Sequence, residues 1–231
     1  KTLAARGTTL CLCLSGPSRN MTHPISPIQR GLQWLRKLQP CQLCHSDTQW
    51  QHSVCQACWQ QLPWRSQAVQ RQEMQIQVAF DYHYPINRII QQFKYEQQLQ
   101  YQLLLVGALK QLSYPKIQAI VPMPISSARL TERGYNQSLL LAKGLARHLN
   151  VPIWQPVTRL QQHAQKGLSR LERLEDIQQQ FQIQTAPKIR YRRILIVDDV
   201  VTTGSSIHAL KQQLLKLGCQ KVEAVCLASA E

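Results

Sequence analysis

The sequence predicts an α/β protein in which a parallel sheet is flanked by helices and preceded by a small four-cysteine module. Three observations carry that reading. Near its end the chain alternates an apolar run at 194–197, a helical pattern over 205–217 and a second apolar run at 222–227. Strands buried on both faces read as continuous apolar runs, and helices joining parallel strands supply the cover. Upstream, four cysteines fall into two CxxC pairs that stand apart from this alternation. A length of 231 residues, with 44% hydrophobic and 17% charged side chains, suits one medium domain with an appendage. Two full-size domains and wholesale disorder are both excluded.

Lys and Arg number 27 against 12 Asp and Glu, a net charge of +15 that attracts polyanions. This field fits either a solvated basic surface or a site for phosphates or nucleic acid, and the position of the charges must decide. No apolar run approaches the roughly 18 residues of a spanning helix. The longest, 103–109, is short and contains Gly107. Membrane insertion is therefore not expected, and a cytoplasmic location is. Residues before Met21, with Cys11 and Cys13, lack the long apolar centre of a secretory signal. Residues 1–30 are read as a disordered leader, 31–65 as the cysteine module and 66–231 as the α/β domain.

Cys41, Cys44, Cys55 and Cys58 form a CxxC, ten-residue, CxxC pattern. Two thiolates on one tight turn grip the same ion, and a second such turn completes the tetrahedral sulfur set of a closed zinc site. With four thiolates no position stays open for water, so the ion is expected to be structural. A pair of disulfides would need an export signal, and a redox CxxC would need a strand-to-helix turn in place of these Gln, Ser and Trp neighbours. His45 is a competing ligand. Trp50 and Trp59 either pack around the knuckles or stack on bases.

Along the domain, 74–84 has β character. Ile89, Ile90, Phe93, Leu103, Leu104 and Leu109 recur with the spacing of one or two helices over 86–112. The many glutamines read as solvated helix surface. A short strand at 119–121 runs into Pro122, Met123 and Pro124, which forbid helix. A loop carrying Arg129, Arg133, Gly134, Tyr135, Asn136 and Gln137 follows, then a helix at 139–149, a strand at 151–154 and a basic, mobile connection over 159–173. Cys219 and Cys226 serve as small core residues.

The chemistry concentrates after the strand at 194–197, where Asp198 and Asp199 precede Val200, Val201, Thr202, Thr203, Gly204, Ser205 and Ser206. A helix start presents free N–H groups to an anion, Gly204 lets backbone approach a phosphate, and the hydroxyls add donors. Carboxylates repel a phosphate, so Asp198 and Asp199 must face neutral hydroxyls or a metal at the ligand's other end. A sugar with a terminal phosphate fits. The plain alternative, a helix cap, needs one aspartate and not two.

Four apolar residues, Asp-Asp, two apolar residues and Thr-Thr-Gly resemble the phosphoribosyl-pyrophosphate (PRPP) loop of type I phosphoribosyltransferases. Other segments narrow this to the competence-associated ComF/GntX family. They are the cysteine module, Phe93-Lys94-Tyr95, the Val121-Pro-Met-Pro segment with Arg133-Gly-Tyr-Asn-Gln137, and Gln165-Lys-Gly-Leu with Arg170 and Arg173. The resemblance implies that Asp198 and Asp199 hold ribose hydroxyls while Thr202, Thr203, Gly204, Ser205 and Ser206 cradle the 5-phosphate. Pro122, Met123 and Pro124 would lie by the pyrophosphate, with Arg133 as the nearby cation. Arg159, Lys166, Arg170 and Arg173, with His163, would form a flexible basic loop that closes over PRPP, although a basic helix face in solvent is the plainer reading. Asp176 stands where the family pattern usually has Asn.

Catalysis would displace pyrophosphate from the anomeric carbon, with Mg2+ carried by PRPP. Thr202 stands where purine-salvage relatives commonly place an acid, and no C-terminal hood is expected after the last strand, so the acceptor is undefined. Two functions compete: a PRPP-dependent transferase acting in DNA uptake, or a single-stranded-DNA-binding competence factor with a regulatory or vestigial PRPP site. Other DNA-uptake proteins are further expected partners, and a scaffold docked through its zinc module is the blandest alternative.

Overall fold

A computed structural model of the chain describes residues 38–160, 180–184 and 191–230. Its helices are α1 (Gln56–Gln60), α2 (Ile86–Tyr95), α3 (Gln102–Leu109), α4 (Ser127–Arg133), α5 (Gln137–Leu149) and α6 (Ser205–Lys216). Its strands are β1 (Val69–Arg71), β2 (Met74–Asp81), β3 (Ala119–Pro122), β4 (Val157–Arg159), β5 (Phe181–Ile183), β6 (Arg193–Val201) and β7 (Lys221–Ser229). Five strands form a sheet in the order β1-β2-β7-β6-β3, and β4 and β5 form a separate antiparallel pair.

The expected parallel sheet is mixed. β2, β7, β6 and β3 run parallel, but β1 lies antiparallel on the edge beside β2. Only two residues, Gln72 and Glu73, join β1 to β2, and so short a turn can only send the chain back antiparallel. The apolar run at 151–154 was expected to be a strand and makes a single parallel bridge, Ile153 to Ile120. Pro152 has no N–H to extend that ladder.

Alternation along the central strands builds two core layers. On β6, Leu195 and Val197 enter one buried cluster with α2, α3 and α5, while Ile194 and Ile196 enter a second with α6, β4 and β5. β7 splits likewise, Val225 and Leu227 to the first and Ala224 and Cys226 to the second. Successive side chains on a strand point to opposite faces, so two apolar runs suffice to hold helices on both sides. The run at 86–112 resolves into α2 and α3 with a 3-10 turn at Leu99–Tyr101 between them.

The cysteine module belongs to the first layer. Cys41, Val54, Cys55, Trp59 and Leu62 are part of the same buried cluster as Phe80 and Phe93. Trp59, Trp64 and Phe80 form a run of rings with centroids 4.9 and 4.6 Å apart. His52 also packs on Trp59 and presses so closely on α3 that a Cβ at Gly107 would stand 2.3 Å from its Cγ. Of Trp50 and Trp59, Trp59 is buried as packing required and Trp50 stays half exposed.

Candidate functional site

The end of β3 opens the site. β3 pairs with β6 only as far as Pro122 opposite Val197, with the Met123 N–H closing the ladder on the Val197 carbonyl at 2.9 Å. Pro122 and Pro124 flank Met123 and bring no N–H, so pairing stops there. β6 does not stop. Its ladder with β7 continues to Val201 opposite Ser229, carrying Asp198 and Asp199 along an edge that β3 has left. The apolar strand was expected over 194–197 with the acids at its carboxyl end and instead runs on to Val201, because β7 supplies backbone partners beyond the apolar run.

Each carboxylate is held by one oxygen. Asp198 Oδ1 accepts from Ser138 Oγ and from the Asp199 N–H, both at 2.9 Å. Asp199 Oδ1 accepts from the Val200 N–H at 2.7 Å and pairs with Lys94 Nζ at 2.9 Å. The other Asp199 oxygen, Oδ2, is buried and has no hydrogen-bond partner. Withdrawal from water, and then the charge of Asp199, push the Asp198 carboxyl up to about 7, against smaller opposing effects of the Asp199 N–H, Lys94 and Ser138.

Around the acids lies a cavity of about 200 Å3. Lys94, Arg129, Arg133 and Arg159 supply four cations to its wall, with Gln137, Ser138 and Ser206 among the polar groups and Met123 and Pro124 among the apolar ones. Arg133 lies over the Tyr95 ring at 4.7 Å and donates to its hydroxyl at 3.2 Å, leaving its buried Nε without a partner. Gln137 is buried with Oε1 likewise unpaired. Burial, then the charge of nearby Arg129, holds Arg159 below its ordinary range, while Asp198 opposes that shift.

Backbone caps set this arrangement. Asn136 starts α5 by accepting from the Leu139 N–H at 3.2 Å and donates to the Met123 carbonyl at 3.0 Å, tying that helix start to the segment beyond β3. The segment carrying Arg129 and Arg133 was expected to be a loop and is mostly helix α4. Ser126 caps it through the Arg129 N–H, and Gly134, at φ +79°, ends it. Gly204, at φ +76°, caps α6, and Thr203 and Ser205 share a hydroxyl contact of 2.8 Å beside the helix start.

The predicted residues are thus distributed unevenly. Asp198, Asp199, Arg133, Met123, Pro124, Ser206 and Arg159 meet in the one cavity. Thr202, Thr203 and Gly204 form the turn between β6 and α6 and Ser205 opens α6, all outside its lining. Pro122 lines a neighbouring, more apolar cavity of about 430 Å3. Arg159 was expected in a mobile connection but closes strand β4, opposite Phe181. A ladder partner on β5 and the overlap of its guanidinium with the Phe181 ring explain the order. Lys166, Arg170, Arg173, His163 and Asp176 lie outside the described residues.

Sequence reasoning gave no role to Lys94, Gln137 or Ser138. Lys94 and Gln137 entered only inside resembling segments. Nothing in their local spacing announces that the last turn of α2 and the first of α5 meet the acids.

In the module, one sulfur from each of Cys41, Cys44, Cys55 and Cys58 lies within 4.8 Å of the others, and His45 is not in the group. Four thiols at that spacing fit a tetrahedral ion. N–H donation from Ser46, then Asp47, lowers Cys44 to about 6, whereas burial, then neighbouring Cys55, pushes Cys58 well up. Among the described residues no helix is long and apolar enough to cross a membrane.

Residues 136–231 match the phosphoribosyl transferase domain family. The chain is 30% identical over 203 residues to competence protein F of Haemophilus influenzae, covering 82% of this chain and 84% of that protein. It is 31% identical over 199 residues to the DNA utilization protein YhgH of Escherichia coli, covering 81% and 82%. Among solved structures, adenine phosphoribosyltransferase from Saccharomyces cerevisiae aligns with a TM-score of 0.36 and 19% identity, covering 59% of this chain and 72% of that one.

Proposed function

The chain belongs to the ComF/GntX family of competence-associated, phosphoribosyltransferase-like proteins, and from that premise we propose that it binds PRPP at the Asp198–Asp199 cavity and acts in DNA uptake or utilization. The observation that carries the reading is the pairing of a buried, unpartnered acid oxygen, Asp199 Oδ2, with four cations around one cavity. Free carboxylate oxygens accept sugar hydroxyls, and the cations suit a diphosphate that would otherwise be repelled. Beyond β6, the turn Thr202–Ser206 and the α6 N-terminus offer N–H groups and hydroxyls to a 5-phosphate. Arg129 and Arg133, which line the same cavity, would take the pyrophosphate.

Mg2+ would arrive with the diphosphate and neutralise its charge. The unpaired Asp199 oxygen and the acid pair fit such a ligand without forming a dedicated cage. Zn2+ would be held by Cys41, Cys44, Cys55 and Cys58, whose all-sulfur set leaves no position for a substrate, so its contribution is to the fold. If the transfer chemistry is retained, Arg133 and Arg129 would stabilise the departing pyrophosphate, and the acid pair would hold the pentose while its anomeric bond breaks.

Calorimetric titration of the zinc-loaded full chain with PRPP and Mg2+ tests the reading. Binding is expected, and Asp198→Asn combined with Asp199→Asn should weaken it by roughly a hundredfold, the scale of two lost charged hydrogen bonds, with the thermal melt preserved. Unchanged affinity in the double variant contradicts the assignment.

A second reading, single-stranded-DNA handling with a regulatory or vestigial sugar-phosphate site, draws on the net charge of +15 and the half-exposed Trp50. It requires oligonucleotide affinity that falls steeply with salt. No binding at low ionic strength would remove it.

A further inference from the structure

Lys94 reaches the acid pair from another layer of the molecule, at the last turn of α2. Its ammonium lies 2.9 Å from Asp199 Oδ1, with the two side chains 17% and 7% exposed. Desolvating both partners offsets much of their attraction, so such a pair is a poor device for stability alone. Its clearer effect is on orientation. Asp199 Oδ1 is occupied twice, by Lys94 and by the Val200 N–H at 2.7 Å, which pins the carboxylate and leaves Oδ2 buried and unpaired on a residue that lines the cavity. Asp198 has a different anchor, Ser138 Oγ, so the two acids are fixed independently. Adjacent carboxylates also repel, and the ammonium offsets one of the two charges beside an anionic ligand.

We infer that Lys94 is a positioning residue for ligand recognition: it holds Asp199 so that Oδ2 is free for a sugar hydroxyl, and it thereby sets the preference for a ribose over a deoxygenated sugar. This rests on the reading of Asp198 and Asp199 as hydroxyl acceptors. Lys94 acts through Asp199 and leaves the phosphate end of the ligand to other groups.

The test is a ratio. Ribose 5-phosphate and 2,3-dideoxyribose 5-phosphate are titrated into the full chain and into Lys94→Met, Lys94→Gln and Lys94→Arg. The unaltered protein should prefer the ribose by on the order of a hundredfold, the scale of two charge-assisted hydrogen bonds, one to each acid. Lys94→Met and Lys94→Gln should reduce that preference about tenfold, leaving the share of the independently anchored Asp198, and Lys94→Arg, which keeps a cation, should restore most of the loss. Because a ratio is read, any general loss of phosphate affinity or stability cancels. If Lys94→Met fails to fold, the polar Lys94→Gln variant carries the measurement. A preference undiminished in both neutral variants overturns the role of Lys94 while the acid-pair reading stands. No preference in the unaltered protein overturns that reading first and this inference with it.

Discussion

The cysteine module and the acid cavity are assembled by opposite means. All four module sulfurs come from residues 41–58, and spacing on two tight turns is enough to gather them. The cavity draws Lys94 from α2, Arg129 and Arg133 from α4, Gln137 and Ser138 from α5, Arg159 from β4 and the acids from β6. A local device can be read from intervals along the chain, whereas a device built across layers depends on which strand stops first. Here β3 ends at Pro122 and β6 continues, and that mismatch makes the crevice. Yet the two regions share one buried cluster, so the local device is also part of the scaffold that carries the distant one.

That shared core gives the largest expected effect. With Zn2+ held by the four cysteines as proposed, its removal with a chelator, or Cys41→Ser, should lower the melting temperature of the entire chain by roughly 10 °C or more, because the binding energy of a structural ion is folding energy. Scanning calorimetry should show one transition shifting. A module that melts alone, with the remainder unchanged, would break the link between the regions.

The seam between them can be probed directly at Gly107→Ala. The added methyl meets His52 Cγ at 2.3 Å, and overpacking of this kind costs about 1–3 kcal/mol. Denaturant unfolding should register that loss, and an unaffected midpoint would mean that His52 moves aside without cost.

The smallest effect belongs to the cavity and is electrostatic. When folded, Asp198 has its carboxyl raised to about 7 by burial and by Asp199, with Lys94, Ser138 and the Asp199 N–H opposing. Between pH 4 and 7 the native state therefore holds more protons than the unfolded state, and the contribution of this group to stability falls as pH rises through that window. Asp198→Asn cannot ionise. Relative to the unaltered protein it should gain stability steadily between pH 5 and pH 8 without ligand. A stability difference independent of pH would mean that Asp198 is ionised throughout.

Much of this architecture was legible. The apolar runs that became β6 and β7, the helix between them and the cysteine spacing are patterns carried by neighbouring residues. α4 was hidden by its basic, mixed composition, although Ser126 and Gly134 frame it in the way that begins and ends a helix. The antiparallel edge was hidden because the turn at Gln72 and Glu73 lacks the usual Gly or Asn, and Gln72 takes a positive φ of 51° itself. Lys94 could not be assigned to Asp199 from sequence at all. Its helical position is set by burial of Ile89, Ile90 and Phe93, and the partner it meets is decided by packing of layers.

Co-crystallisation of the full chain with ribose 5-phosphate tests the central claim most directly. The account predicts the sugar hydroxyls within hydrogen-bond distance of the Asp198 and Asp199 carboxylates and the phosphate against the N–H groups that follow Thr202. A sugar bound in the reverse sense, with its phosphate among Arg129 and Arg133 and the acids engaged only by Lys94 and Ser138, would contradict it.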